Sequence, residues 1–159
     1  MDPVTELESL VHRFVEDGVP YALCGGLALA VHGFPRQTKD IDILVEADNV
    51  ERALAAARRT GFDIPARKIT FGLATKTPRE VYRVSKLDEA TGKLMTLDVL
   101  VVNEELARVW ETRQVVAAGD RQLVVVSRDG LATMKRIAGR PQDLVDLAKL
   151  EGTDEPDEA

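Results

Sequence analysis

The spacing of apolar residues changes along this chain from a helical period to a strand period, and that change limits the fold more than any other feature. Leu7, Leu10, Val11 and Phe14 fall at i, i+3, i+4 and i+7, as do Val50, Ala53, Leu54 and Ala57, so each set lines one side of a helix. Thr5 and Glu8 have capping-box spacing for the first helix, and Gly18 with Pro20 stops it. Asp48 and Glu51 open the helix of Val50, and Gly61 closes it. Between Ile69 and Val102 the period falls to two. Ile69, Phe71 and Leu73 share a face, and the runs 81–87 and 94–102 flank Asp-Glu-Ala-Thr-Gly at 88–92, which suits a hairpin loop. The run 94–102 is apolar enough to predict burial of both its faces.

Shorter elements fill the rest. Residues 21–24 read as a buried strand, Gly25-Gly26 as a turn, and 27–32 as a short helix ended by Gly33 and Pro35; 41–45 reads as another strand. A short helix near 104–110 and an apolar strand at 122–126 precede a helix capped by Ser127. Gly139 separates that helix from a last one with Pro141 in its first turn. The expected fold class is α/β (α+β), a mixed β-sheet flanked by helices.

The formal charge of −6 argues against polyanionic ligands until it is located. Residues 151–159 hold five acids and no base, which leaves 21 bases against 22 acids in residues 1–150. We therefore expect one domain over 1–150 and an acidic, disordered tail over 151–159. A single cysteine, Cys24, in an apolar run predicts a buried, inert thiol. The chain shows no apolar run of membrane-spanning length and no leader-like N-terminus, so a cytoplasmic location without membrane contact is expected.

Three acids stand out chemically. Asp40 and Asp42 flank Ile41, and alternation along a strand puts both carboxylates on one face while Ile41 and Ile43 enter the core. Two such acids repel unless a positive group lies between them. Asp98 interrupts an apolar strand, where an acid needs an arginine partner, a metal or a catalytic task. Carboxylates on two strands offer hard oxygen ligands, which suit Mg²⁺ rather than zinc. Because Mg²⁺ keeps water and substrate phosphates in its shell, a phosphate cradle should accompany it, and Gly25-Gly26 between strand and helix is the candidate.

Gly25-Gly26, thirteen further residues, Asp40-Ile-Asp42 and a later lone acid at Asp98 resemble the nucleotidyltransferase superfamily with the DNA polymerase beta fold. Arg36-x-Thr38-x-Asp40-Ile-Asp42 is similar to the form found in small prokaryotic nucleotidyltransferases related to the abortive-infection toxins of type IV toxin–antitoxin systems. Lys135 followed by Arg140, Asp143 and Asp146 resembles the ending of that group. The resemblance implies transfer of a nucleoside monophosphate from an NTP, such as ATP, to a hydroxyl acceptor, with release of pyrophosphate. It also implies two Mg²⁺ ions on Asp40, Asp42 and Asp98, and Asp98 as the group that takes the hydroxyl proton. Gly25, Gly26, Arg36, Thr38 and Lys135 would then meet the nucleotide. Acceptors in the superfamily include RNA ends such as tRNA, small molecules and proteins, and a cognate antitoxin is an implied partner. The alternative is a nucleotide-binding or regulatory module that needs a partner chain and has little activity alone.

Several residues keep two readings. Arg36 is a phosphate contact or a solvated loop charge. Lys135 lies on the apolar stripe of Leu131, Met134 and Ala138, so its head either snorkels to solvent or reaches a triphosphate. Asp143 and Asp146 either hold Arg136 or Arg140 in place or add an acid to the site. His12, His32 and Trp110 read as structural. Residues 66–93 hold seven bases against three acids, a solvated face or an acceptor groove.

Overall fold

The computed structural model describes residues 1–71 and 78–152. Leu73, Lys76 and most of the expected acidic tail, 153–159, lie outside them.

The first helix, α1 (Pro3–Asp17), starts earlier than the Thr5 and Glu8 spacing suggests. Asp2 is its cap, accepting from the amides of Val4 and Thr5 at 3.3 and 3.4 Å, and it also takes the Thr5 hydroxyl at 2.9 Å. A carboxylate at the N-cap satisfies two free amides, and Pro3 at the first turn has no amide to lose. Leu7, Leu10, Val11 and Phe14 are buried, and Gly18 ends the helix in the left-handed region at φ 66°. Next come β1 (Ala22–Cys24), α2 (Gly25–Val31), β2 (Asp40–Val45), a 3-10 turn (Ala47–Asn49) and α3 (Val50–Arg59). The strands β3 (Ile64–Phe71), β4 (Arg79–Asp88) and β5 (Lys93–Val101) form a meander. After it lie α4 (Ala107–Glu111), β6 (Gln114–Ala118), β7 (Arg121–Val125), α5 (Arg128–Ala138) and α6 (Pro141–Leu150).

Among the described residues, seven strands form one sheet in the order β3-β4-β5-β2-β1-β7-β6. The pairs β2–β5 and β1–β7 are parallel and the rest antiparallel. The mixed sheet flanked by helices agrees with the expected class. One strand, β6, was not legible: it is a largely exposed edge, held by its ladder to β7 rather than by burial, so it lacks an apolar alternation.

The core lies mainly on the face to which Ile41, Ile43, Leu97 and Val99 point, all with no exposed surface. There α1 and α3 pack together, and Lys86 ties them to β4 by bonds to Glu6 at 2.7 Å and the Thr60 carbonyl at 2.9 Å. On the other face, α2 lies over β1 and β2 and contacts α5, which packs on α6. The β4–β5 part of that face stays open, as Leu87 and Leu94 show at 48% and 55% exposure. Consequently β5 is buried on one face only: Met95, Leu97, Val99 and Val101 are covered, while Thr96, Asp98 and Leu100 are half-buried. The expectation of burial on both faces fails because, among the described residues, no helix covers the second.

Candidate active site

The site forms where the open face meets the turn after β1. Parallel pairing sets Asp42 opposite Asp98 and Asp40 opposite Thr96, so the three carboxylates share one face of adjacent strands. Antiparallel pairing with β1 sets Cys24 opposite Asp42, which places the glycine turn beside the same carboxylate.

Gly25 takes φ 69°, and a β-carbon there would overlap the Asp42 carboxylate. A β-carbon on Gly26 would lie 3.1 Å from the Thr38 hydroxyl. The two glycines therefore let the turn press against the acids and the Thr38 loop, as a close backbone approach requires. Thr38 uses its hydroxyl on the backbone of Asp40, donating to the carbonyl at 3.3 Å and accepting from the amide at 3.4 Å, which fixes the entry into β2.

Electrostatics distinguish the acids. Burial, then Asp98, then Asp40, push the Asp42 carboxyl up to about 7, against the pull of Lys135 and Arg140. Burial, and next Asp42, likewise push the Cys24 thiol well up, in keeping with an inert cysteine. Asp98 is 13% exposed and is gripped by Arg83, with Nε to Oδ1 at 2.8 Å and Nη2 to Oδ2 at 3.0 Å. Of the readings open for Asp98, an arginine partner is the one seen directly. Among the described residues no three acid, histidine or cysteine side chains converge on one point. The donor set still suits a hard divalent cation: all ligands are carboxylate oxygens, and Asp42 is raised by like charges that a cation would offset.

Lys135 neither snorkels nor stands free. It is 6% exposed, and its Nζ lies 3.3 Å from Asp143 Oδ1 and 3.0 Å from Asp146 Oδ2. Asp143 also accepts from Arg140 Nε at 2.7 Å, while Asp146 accepts from Gln142 at 2.9 Å and Arg36 at 3.2 Å. Burial raises the Asp143 carboxyl, but the Arg140 hydrogen bond and charge, with Lys135, outweigh it and leave it below the usual range. Asp143 thus holds Arg140; Arg136 pairs instead with Glu151. Arg36 is no solvated loop charge, since Asp146 holds it and its Nε is buried with no hydrogen-bond partner among the described residues. The network ties the loop before β2 to α5 and α6, with its cationic centre felt at Asp42.

Arg83 is the residue that sequence reasoning did not single out, counting it only within the basic stretch. The signal was in the hairpin: with Asp88 opposite Lys93, five steps back along each strand put Arg83 opposite Asp98. The same alternation breaks up the basic stretch. Lys68 pairs with Glu80 and Lys86 with Glu6 on the opposite face from Arg83, so these bases do not line one groove. His32 is structural as expected, its Nε2 lying 2.8 Å from the Val126 carbonyl. Trp110 is buried, with the Arg113 guanidinium 3.9 Å over its ring. No described helix is long and apolar enough to cross a membrane.

Comparison with known proteins bears on the family and the fold. The family model described as nucleotidyl transferase AbiEii toxin, type IV toxin–antitoxin system, matches residues 8–159. No curated protein matches the sequence. Among solved structures, a candidate nucleotidyltransferase from Thermotoga maritima aligns over 95% of this chain and 93% of its own, with 15% identity and a TM-score of 0.60. JHP933 from Helicobacter pylori aligns over 92% of this chain and 63% of its own, at 18% identity and a TM-score of 0.58. ANT(2'')-Ia in complex with adenylyl-2''-tobramycin aligns over 94% and 87%, at 15% identity and a TM-score of 0.57. At such identities the likeness is one of fold.

Proposed function

The chain belongs to the AbiEii family of nucleotidyl transferase toxins of type IV toxin–antitoxin systems, and from that footing we propose that it moves a nucleoside monophosphate from an NTP to a hydroxyl acceptor in a Mg²⁺-dependent reaction. The observation that carries this reading is the register of β2 on β5, which faces Asp42 and Asp98 across adjacent strands with Asp40 beside them, at the foot of a glycine turn. Mg²⁺ bound by Asp40, Asp42 and Asp98 would supply charge to orient the α-phosphate and stabilise the pyrophosphate that leaves.

The chain's own groups do the remaining work. Backbone amides of Gly25 and Gly26 meet the outer phosphates, because nothing but backbone stands at the turn. Thr38 and Arg36 line the approach, and Lys135 with Arg140 supplies the positive field near Asp42. Asp98 takes the proton of the acceptor hydroxyl as its oxygen bonds to the α-phosphorus and the bond to pyrophosphate breaks. The acceptor is an RNA end such as tRNA, a small molecule or a protein, and an antitoxin is the natural partner of the family.

The test is transfer of label from α-³²P NTPs, all four in turn, to total RNA, to an aminoglycoside and to the protein itself. Label that appears with Mg²⁺ and disappears with EDTA or in Asp40→Ala supports the proposal. NTP binding without any transfer supports instead a regulatory module that needs its partner chain, a reading favoured by the engagement of Asp98 with Arg83.

A further inference from the structure

Arg83 occupies both carboxylate oxygens of Asp98 in one fork, at 2.8 and 3.0 Å. A bidentate guanidinium–carboxylate pair is the most directional ion pair a protein makes, and it leaves the carboxylate few lone pairs to offer elsewhere. The pair is also well founded in the backbone. Arg83 and Asp98 are direct cross-strand neighbours in the β4–β5 ladder, so their Cα atoms are held face to face and the fork needs no long reach. On the next strand lies Asp42, whose carboxyl is pushed up by burial and by the neighbouring Asp98 and Asp40. Thus the two acids that face each other stand in different states: Asp98 has its positive partner, and Asp42 has none within hydrogen-bonding distance among the described residues. Arg83 itself is held in its charged form by the Asp98 bonds first, then by the charges of Asp98, Asp40 and Asp42.

From this geometry we infer that Arg83 is a positioning residue that latches Asp98, so that a divalent cation and the guanidinium compete for the same two oxygens. The inference rests on the metal reading of the site above and adds to it a residue on β4. Release of the latch leaves the Arg83 side chain on the open β4–β5 face, where 47% of it is already exposed. There its replacement partner is an anionic oxygen, and a phosphate of the nucleotide is the chemistry at hand. Cation and phosphate therefore open the latch together, and each binds better when the other is present.

The readout is Mn²⁺ binding to the purified full chain, followed by electron paramagnetic resonance with and without inorganic pyrophosphate, and needs no turnover. If the latch is open in about one molecule in ten, the apparent Mn²⁺ affinity is about tenfold below its intrinsic value. Arg83→Gln, which is shorter and keeps a hydrogen-bonding amide but has no charge, should bind Mn²⁺ about tenfold more tightly than wild type and lose the gain that pyrophosphate gives the wild type. Arg83→Lys, with a single point of charge, should fall between them. Equal or weaker Mn²⁺ binding by a folded Arg83→Gln, with Asp98→Asn and Asp42→Asn both abolishing binding, overturns the latch and leaves the metal site standing. Mn²⁺ binding that no aspartate variant changes overturns the metal site itself, and the latch with it.

Discussion

The backbone of Gly25 presses on the carboxylate of Asp42 so closely that even a methyl group between them would overlap Oδ2. Sequence neighbours of a turn thereby become the wall of an acid pair carried on another strand. Gly25→Ala forces either the turn or Asp42 to move. We expect a loss of stability of about 2 kcal/mol or more, together with loss of Mg²⁺-dependent NTP binding. Gly92→Ala is the control: at φ 71° it has the same left-handed backbone but nothing within 4 Å of a new β-carbon. Its cost should be the conformational part alone, about 1 kcal/mol. Urea denaturation of both variants separates crowding from backbone strain, and equal losses would remove the crowding argument.

Asp42 predicts the direction of a pH effect. Its carboxyl is raised to about 7 by burial and by Asp98 and Asp40, whereas in the unfolded chain it titrates near the ordinary 3.8. Between those values the folded state holds the extra proton, so this group favours folding at low pH and that contribution is lost as pH rises through 7. Asp42→Asn removes the penalty. In EDTA it should stabilise the protein at pH 8 by on the order of 4 kcal/mol, and hardly at all at pH 4. Denaturation curves at pH 4, 6 and 8 check the slope; a benefit that is the same at all three would contradict the assignment.

Lys135 carries a larger stake in stability. Replacing it with methionine keeps the stem and removes the charge between Asp143 and Asp146, which are 2% and 0% exposed. Breaking a buried pair by removing one partner costs about 3–5 kcal/mol. Adding Asp146→Asn to Lys135→Met should recover part of that loss, since a neutral amide is cheaper to bury than a lone carboxylate. Denaturant midpoints of the two single variants and the double variant give the coupling. Additive losses would mean that Lys135 and Asp146 do not act as a pair.

Ser127 supports that lysine from a distance. It caps α5, accepting from the Gly130 amide at 2.9 Å. Ser127→Ala should lower stability by about 1 kcal/mol, and Ser127→Asp, which offers the same acceptor with a favourable charge at the helix start, should restore most of it. Thermal melts of the three proteins decide the matter; an aspartate no better than alanine would discount the cap.

These residues also show where the sequence was readable and where it was not. Helices with a full apolar stripe, such as α1 and α3, and strands with one buried face, such as β5, announce themselves because burial acts at fixed spacing. The strand β6 did not, since an exposed edge is specified by its partner's hydrogen bonds. Asp2 displaced Thr5 as the first cap because Asp2 followed by Pro3 starts the helix earlier, which leaves Thr5 inside the first turn with its hydroxyl donating to the Asp2 carboxylate. For the site, alternation placed Asp40 and Asp42 on one face, but the grip of Arg83 on Asp98 depends on tertiary register. The paired burial of Lys135, Asp143 and Asp146 joins two helices, and no single amphipathic pattern displays it.

The parallel pairing of β2 with β5 has one more consequence, which concerns evolutionary latitude. The distance between the Asp42 and Asp98 backbones is set by the strand spacing, about 4.8 Å, and not by any side chain. Sliding one strand past the other by a single residue would turn Asp98 to the opposite face, so intermediate spacings do not exist. The hairpin loop at 88–92 precedes the start of β5, outside the paired stretch that joins β2 to β5, and takes no part in this ruler. Insertions there can lengthen the chain, and new surfaces can grow from it, while the gap between the two acids stays where the sheet put it.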